Sequence, residues 1–151
     1  MITIDALKVK IENNSRLLGL DMGSKRIGVS ICDDRRKVAT PYKTIEFTNI
    51  EDLSLELSNI VKENSIFAIV IGNPVNMDGS FGKSAQSIQD KAKLIGEKIN
   101  IPICLWDERL STSAAYNLSS KLDINFSQKK KKIDEKAATF ILQGAIDYLN
   151  N

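Results

Sequence analysis

The stretch LLGLDMGSKRIGVSIC, residues 17–32, decides how the rest of the chain is read. An apolar run carries one carboxylate, Asp21, to a glycine-containing turn at Met22-Gly23-Ser24, and a second apolar run leads away from it. This pattern and turn chemistry predict a buried strand, a hairpin and a returning strand. The acid therefore sits where a core strand ends, with Lys25 and Arg26 beside it. One negative and two positive groups in a single short turn suit a metal-bound phosphate. Taken alone, Asp21 reads equally well as an acid that bonds its own turn backbone.

Upstream, TIDALKVKIE (residues 3–12) sets Ile4, Leu7 and Ile11 at helical spacing behind a Thr3 cap, which predicts a short amphipathic helix within an N-terminal extension over 1–16. Downstream, Asp33 to Lys37 is a charged turn, and Val38 to Phe47 is a third strand interrupted near Pro41. The period then changes. Leu53, Leu57, Ile60 and Val61 mark a helix over about 50–63, and IFAIVI (66–71) is a strand covered on both faces. GNPVNMDGSFG (72–82) is loop. Ala85, Ile88, Ala92 and Ile95 mark a helix over 83–98, and Ile101 to Trp106 is another buried strand. Leu122 to Lys132 reads as a polar, basic connection. The last helix opens near Asp134 and buries Ala137, Ala138, Ile141, Leu142, Ala145 and Leu149. The order βββαβαβα implies an α/β fold, a mixed five-stranded sheet flanked by helices, in one domain over 1–151. Ligands of such sheets bind beyond the carboxyl ends of the strands.

At 151 residues, with 42% hydrophobic and 26% charged content, the composition is that of an ordinary globular protein. No apolar run reaches the roughly 18 residues of a membrane span, and the N-terminus lacks a signal-peptide core, so a cytoplasmic location is expected. A net charge of +2 confines any nucleic-acid binding to local patches. Cys32 and Cys104 lie in apolar runs and read as buried, non-catalytic thiols. The chain has no histidine, which removes Ser-His-Asp and Cys-His catalysis, His-ligated zinc and any histidine general base. The remaining chemistry runs on carboxylates, lysines, hydroxyls or an oxygen-bound metal, for which Mg²⁺ or Mn²⁺ is the suited cation.

Three acidic points stand at strand or helix ends: Asp21, the Asp107-Glu108 pair before Arg109, and Asp134. If they converge, their repulsion is relieved by divalent metal, the equipment of phosphodiester hydrolysis without histidine. Asp134 is equally suited to capping a helix. Asp107 and Glu108 are equally suited to a surface pair with Arg109. Neighbours on an extended chain point oppositely, so one of the two serves as ligand, and Glu108 is taken ahead of Asp107. Lys25, Arg26 and Arg109 are read as phosphate-positioning groups or as partners of the same acids. The run Lys129 to Lys132, with Lys131 and Lys132 nearest Asp134, is either a solvated face or a flap over substrate. Asn76 and Asp78 fall in the glycine-rich loop, Asn76 as a substrate contact and Asp78 as a further ligand candidate.

The segments GLDMGSKRIGVSICD (19–33), IGNPVNMDGSFG (71–82), WDERLST (106–112) and KKIDEKAATFILQGAID (131–147) together resemble the YqgF family (RuvX-type), described as Holliday junction resolvases and pre-16S rRNA nucleases. The resemblance implies a ribonuclease-H-like fold and a metal-dependent nuclease. It places catalytic acids on Asp21, Asp107 with Glu108, and Asp134, and metal ligation on Asp21, Glu108 and Asp134. It also implies precursor 16S rRNA as substrate, with a four-way DNA junction as the alternative, and a monomer or homodimer. The family loop more often reads G-L-P-L, whereas Asn73 and Val75 stand here, giving a smaller apolar anchor. A non-cleaving nucleic-acid-binding factor in transcription or ribosome assembly is a reading from another class. A sugar-kinase-like ATPase would also use D-x-G near a first hairpin, but it needs two lobes to close over nucleotide, and this chain is sized for one.

Overall fold

A computed structural model of the chain describes residues 1–76, 78–110 and 126–151, the side chains of 126–132 excepted. The hairpin is its centre. Strand β1 (Arg16–Met22) pairs antiparallel with β2 (Arg26–Cys32), and β2 with β3 (Ala39–Glu46). Gly23 closes the turn by donating its N–H to the Arg26 carbonyl at 3.0 Å. Proline cannot donate to a ladder, and at Pro41 the β2–β3 register shifts, Ser30 pairing with Pro41 while Val29 pairs with Lys43. The expected interruption is therefore a bulge.

Helix α2 (Ile50–Asn64) then crosses to β4 (Ile66–Asn73), and α3 (Lys83–Lys98) to β5 (Ile103–Asp107). Both crossovers lay their strands parallel, giving the sheet order β3-β2-β1-β4-β5. The mixed five-stranded α/β sheet expected from the sequence is present. Helix α2 starts and stops for local reasons: Asn49 Oδ1 accepts the Asp52 N–H at 2.8 Å, and Ser65 ends it in the left-handed conformation.

Alternation along β1 sends side chains to two cores. Leu18, Leu20 and Met22 join Leu57, Ile88 and Ile95 under α2 and α3. Leu17, Val70 and Trp106 join Leu7, Leu142 and Ile146 on the other face. The latter face is covered by the final helix, α4 (Phe126–Leu149), and by α1 (Ile4–Lys10), which Thr3 caps through the Ala6 N–H. Ahead of α1, Ile2 bridges Cys104 and donates to the Ile103 carbonyl at 2.9 Å, so the N-terminal extension covers the open edge of β5. Both cysteines are buried and unpaired, as expected.

Helix α4 departs from the sequence expectation. It begins at Phe126, so Lys129 to Lys132 are helical rather than a connection, and Asp134 lies inside the helix instead of capping its start. Apolar periodicity reports only the part of a helix that buries apolar side chains against the sheet, here from Ala138 onward. The polar turns before it have helix-favouring Lys and Gln but no core to mark them.

That helix lies unusually close to the hairpin. A Cβ at Gly28 would overlap the backbone carbonyl of Asp134, and one at Gly19 would overlap Ser30 Oγ and stand 2.7 Å from Leu142 Cβ. Ser30 donates its hydroxyl to the Ala138 carbonyl at 2.7 Å, tying β2 to the helix backbone. Gly28→Ala is therefore expected to lower stability by about 1–3 kcal/mol through overpacking against backbone that cannot rotate away. Gly96→Ala is the control: inside α3 its added carbon meets nothing nearer than Ile103 Cγ1 at 3.4 Å, and stability is expected to hold or rise by up to about 1 kcal/mol. Urea denaturation of both variants, read at the midpoint, checks the pair.

Candidate active site

Strand β1 delivers Asp21 to the carboxyl edge of the sheet. Because Leu20 and Met22 point toward α2 and α3, Asp21 points to the opposite face, under α4. It stands directly across the ladder from Gly28, the residue on which the Asp134 backbone rests. On the other side Leu20 pairs with Ile71, so Gly72 is level with Asp21 on the next strand. A Cβ at Gly72 would meet Ile141 Cδ1 at 2.5 Å and the Glu108 carboxyl carbon at 3.2 Å. Glu108, from the 3₁₀ turn Glu108–Leu110 that follows β5, thus lies over the bare backbone of β4. Two glycines make room for two acids.

Of the three acids, Asp21 feels the other two. Burial, and then the charges of Glu108 and Asp134, push the Asp21 carboxyl up to about 7. Burial chiefly, with Asp107 second, also raises Glu108. Asp134 is held by Arg26, whose Nε donates to Oδ2 at 2.7 Å across from the first residue of β2. The pair leaves 29% of the Arg26 side chain and 20% of the Asp134 side chain exposed, so a ligand can still reach both. Among the described residues, no three acids or cysteines stand close enough as they are to share one metal ion.

The other expected residues divide. Asp107 is engaged by Arg109, which donates its backbone N–H to Oδ1 at 3.0 Å and Nη2 to Oδ2 at 2.7 Å. That bonding holds the Asp107 carboxyl below its ordinary range. Asp107 is thus paired with Arg109, the alternative the sequence left open, while its charge is still felt at Glu108. Lys25 is exposed at the hairpin turn, its carbonyl accepting the Phe47 N–H at 2.8 Å. Asn76 donates Nδ2 to Ser80 Oγ at 3.1 Å, and Asp78 accepts from the Ser80 N–H and hydroxyl, so both help to order the loop's own turn. The side chains of Lys131 and Lys132 lie outside the described residues.

Sequence reading missed Gly28 and Gly72 as makers of space; their signal is glycine inside a strand. Asn73 also has a place of its own. It is buried at the end of β4, and its Oδ1 has no hydrogen-bond partner among the described residues. An unpaired buried carbonyl costs about 1–3 kcal/mol, so this asparagine is not there for packing.

A family model described as "RuvX: Holliday junction resolvase" matches residues 15–148. A protein of Pelagibacter ubique (strain HTCC1062), provisionally named pre-16S rRNA nuclease, is 60% identical over the whole of both chains. One of Rhizobium meliloti (strain 1021) with the same name is 39% identical over 99% of this chain and 90% of its own. Among solved structures, Thermus thermophilus RuvC in complex with a Holliday junction superposes with a TM-score of 0.55 over 89% of this chain and 94% of RuvC. At 10% identity that likeness shows the shared fold alone, the ribonuclease-H-like arrangement of RuvC-type resolvases. The matched span holds every strand of the sheet together with Asp21, Glu108 and Asp134, and the chain belongs to the RuvX family of nucleases.

Proposed function

We propose that the chain is a divalent-cation-dependent endonuclease that cuts a phosphodiester bond during 5′-end maturation of precursor 16S rRNA. The observation that carries the chemistry is the position of Glu108 over Gly72 and of Asp134 over Gly28, on either side of the buried Asp21, whose carboxyl both acids raise. The substrate rests on the name of relatives up to 60% identical. A cytoplasmic site of action goes with that substrate. Residues 1–151 work as one domain, with 1–16 an extension. No helix among the described residues is long and apolar enough to cross a membrane.

The donor set fits a hard cation. Its side chains are carboxylates, and Asp21 cannot ionise easily beside two further acids unless positive charge joins them. Asp21, Glu108 and Asp134 are the residues that would hold Mg²⁺ or Mn²⁺. Bound there, the cation would supply Lewis acidity toward the scissile phosphate and the water that attacks it. The chain's own groups do the rest. Arg26 orients Asp134 through its 2.7 Å bond and presents a guanidinium to an incoming phosphate. Lys25, exposed in the same turn, adds a second positive group. Asp107 fixes Arg109, which stabilises the turn carrying Glu108.

The family model's description and the likeness to RuvC favour a second reading, cleavage of a four-way DNA junction. It would need a two-fold dimer presenting two sites, where the rRNA reading works with a monomer. Purified protein given a precursor 16S fragment and a four-way junction, each with Mg²⁺, Mn²⁺ or EDTA, separates the two. Metal-dependent cutting of the RNA alone is expected. Cutting of the junction alone would replace the substrate, and binding without cutting would make the chain a non-cleaving factor.

Asp21→Asn and Asp134→Asn are each expected to reduce cleavage by at least about 10²-fold while the circular dichroism spectrum is kept, since each removes a charge on which the transition state depends. EDTA is expected to stop cleavage without unfolding the protein.

The raised Asp21 carboxyl also sets a pH dependence. Its folded pKa of about 7 lies above the unstructured value of 3.8, so the folded state holds the proton more tightly. In metal-free buffer that stabilisation is complete below about pH 4 and lost as pH rises through about 7. Compared with Asp21→Asn across this window, wild type should lose up to about 4 kcal/mol. Urea unfolding at pH 5 and pH 8, which span about 3 kcal/mol of that loss, checks this, and parallel curves for the two proteins would contradict it.

A further inference from the structure

A second cleft, of about 250 Å³, opens at the same end of the sheet. Met22 and Ile88 form its floor, and Ser24, Lys83, Ser84, Ser87 and Lys91 its walls. Met22 follows Asp21 in β1, so it projects from the opposite face of the sheet. The cleft and the carboxylates therefore lie on two sides of one strand end, with the Gly23–Lys25 turn as their common rim.

The chemistry of the walls is one-sided. No carboxylate lines the cleft. Neither Lys83 nor Lys91 has an acidic partner among the described residues, and the nearby Asp90 accepts from Gln86 Nε2 at 3.0 Å. Lys91 is held over the Phe47 ring at 4.7 Å, which positions the ammonium without neutralising it. Ser24, Ser84 and Ser87 make no side-chain hydrogen bond to other described residues, leaving three hydroxyls to donate outward. Lys83, Ser87 and Lys91 recur at four-residue spacing along one face of α3. The two ammonium-bearing residues are thus about 12 Å apart along the axis, enough to meet two different phosphates. In a protein of net charge only +2, two cations and three hydroxyls without an acid form a local anion-binding surface.

We propose that this cleft is a phosphate-binding subsite that grips the single strand of nucleic acid away from the scissile bond, after the strand has crossed the Gly23–Lys25 turn from the carboxylate face. The proposal rests on the nuclease reading and deepens it. Lys83 and Lys91 hold backbone phosphates, the serine hydroxyls donate to their free oxygens, and the apolar floor receives a ribose. Such contacts position a strand without reading its sequence, so RNA and DNA of equal length should depend on them alike.

The test uses a fluorescein-labelled single-stranded RNA of 12 nucleotides and the DNA of the same sequence, titrated by anisotropy in EDTA at several salt concentrations. For Lys83→Ala/Lys91→Ala, affinity for both should fall about tenfold, and the slope of log K against log salt should shrink by about 1.4, the value for two lost phosphate contacts on a single strand. Lys83→Glu separates binding from folding. An acid in the first turn of α3 favours the helix dipole, so Tm should hold or rise while binding weakens. Lys93→Ala, on the same helix but outside the cleft, should bind within twofold of wild type. If wild type binds both strands and the double variant keeps its affinity and salt slope, the subsite is overturned and the nuclease reading stands. If wild type binds neither strand, the subsite is overturned as well, while the nuclease reading is decided separately by the Mg²⁺ and Mn²⁺ cleavage assay.

Discussion

The close seating of α4 on the β1–β2 hairpin is the contact on which the site depends. It is possible because Gly19 and Gly28 present bare backbone where any other residue would collide with the helix. Ser30 then fixes the helix by a hydroxyl bond to the Ala138 carbonyl. The same approach places Asp134 beside Gly28, hence across the ladder from Asp21, and within reach of Arg26. A methyl group on Gly28 would push against the helix at the very residue that carries the acid. Packing and chemistry are here one constraint.

The electrostatic arrangement runs against stability. Asp21 is placed where burial and two neighbouring acids oppose its charge, and Asn73 keeps an unpaired buried oxygen at the end of the adjacent strand. Such placements persist at sites whose function needs a group poised for a partner, with the cost carried by packing elsewhere. The two apolar cores on either face of the sheet provide that packing. Arg26 and Arg109 pair with different acids, Arg26 with Asp134 and Arg109 with Asp107. Neighbouring residues in sequence, Asp107 and Glu108, therefore have different surroundings.

Much of this was legible in the residues. The apolar run to Asp21 and its glycine turn marked the hairpin, the shift from alternation to helical spacing marked the crossovers, and the lack of histidine pointed to carboxylate chemistry. The beginning of α4 was not legible, because lysine-rich helical turns that leave the sheet carry no apolar signature. Nor does spacing show that Arg109 folds back onto Asp107 or that Glu108 lies over the gap at Gly72. The cleft beside Met22 was invisible for the same reason, since Ser24 and Lys91 meet only through the tertiary fold.

The central claim is that Asp21, Glu108 and Asp134 form one cation-dependent group. Thermal unfolding at pH 8 with increasing Mn²⁺ tests it most directly, since a ligand bound only by the folded state raises Tm with its concentration. The account predicts a rise of several degrees for wild type and little or none for Asp21→Asn. Equal shifts for the two proteins, or no shift for wild type, would contradict it.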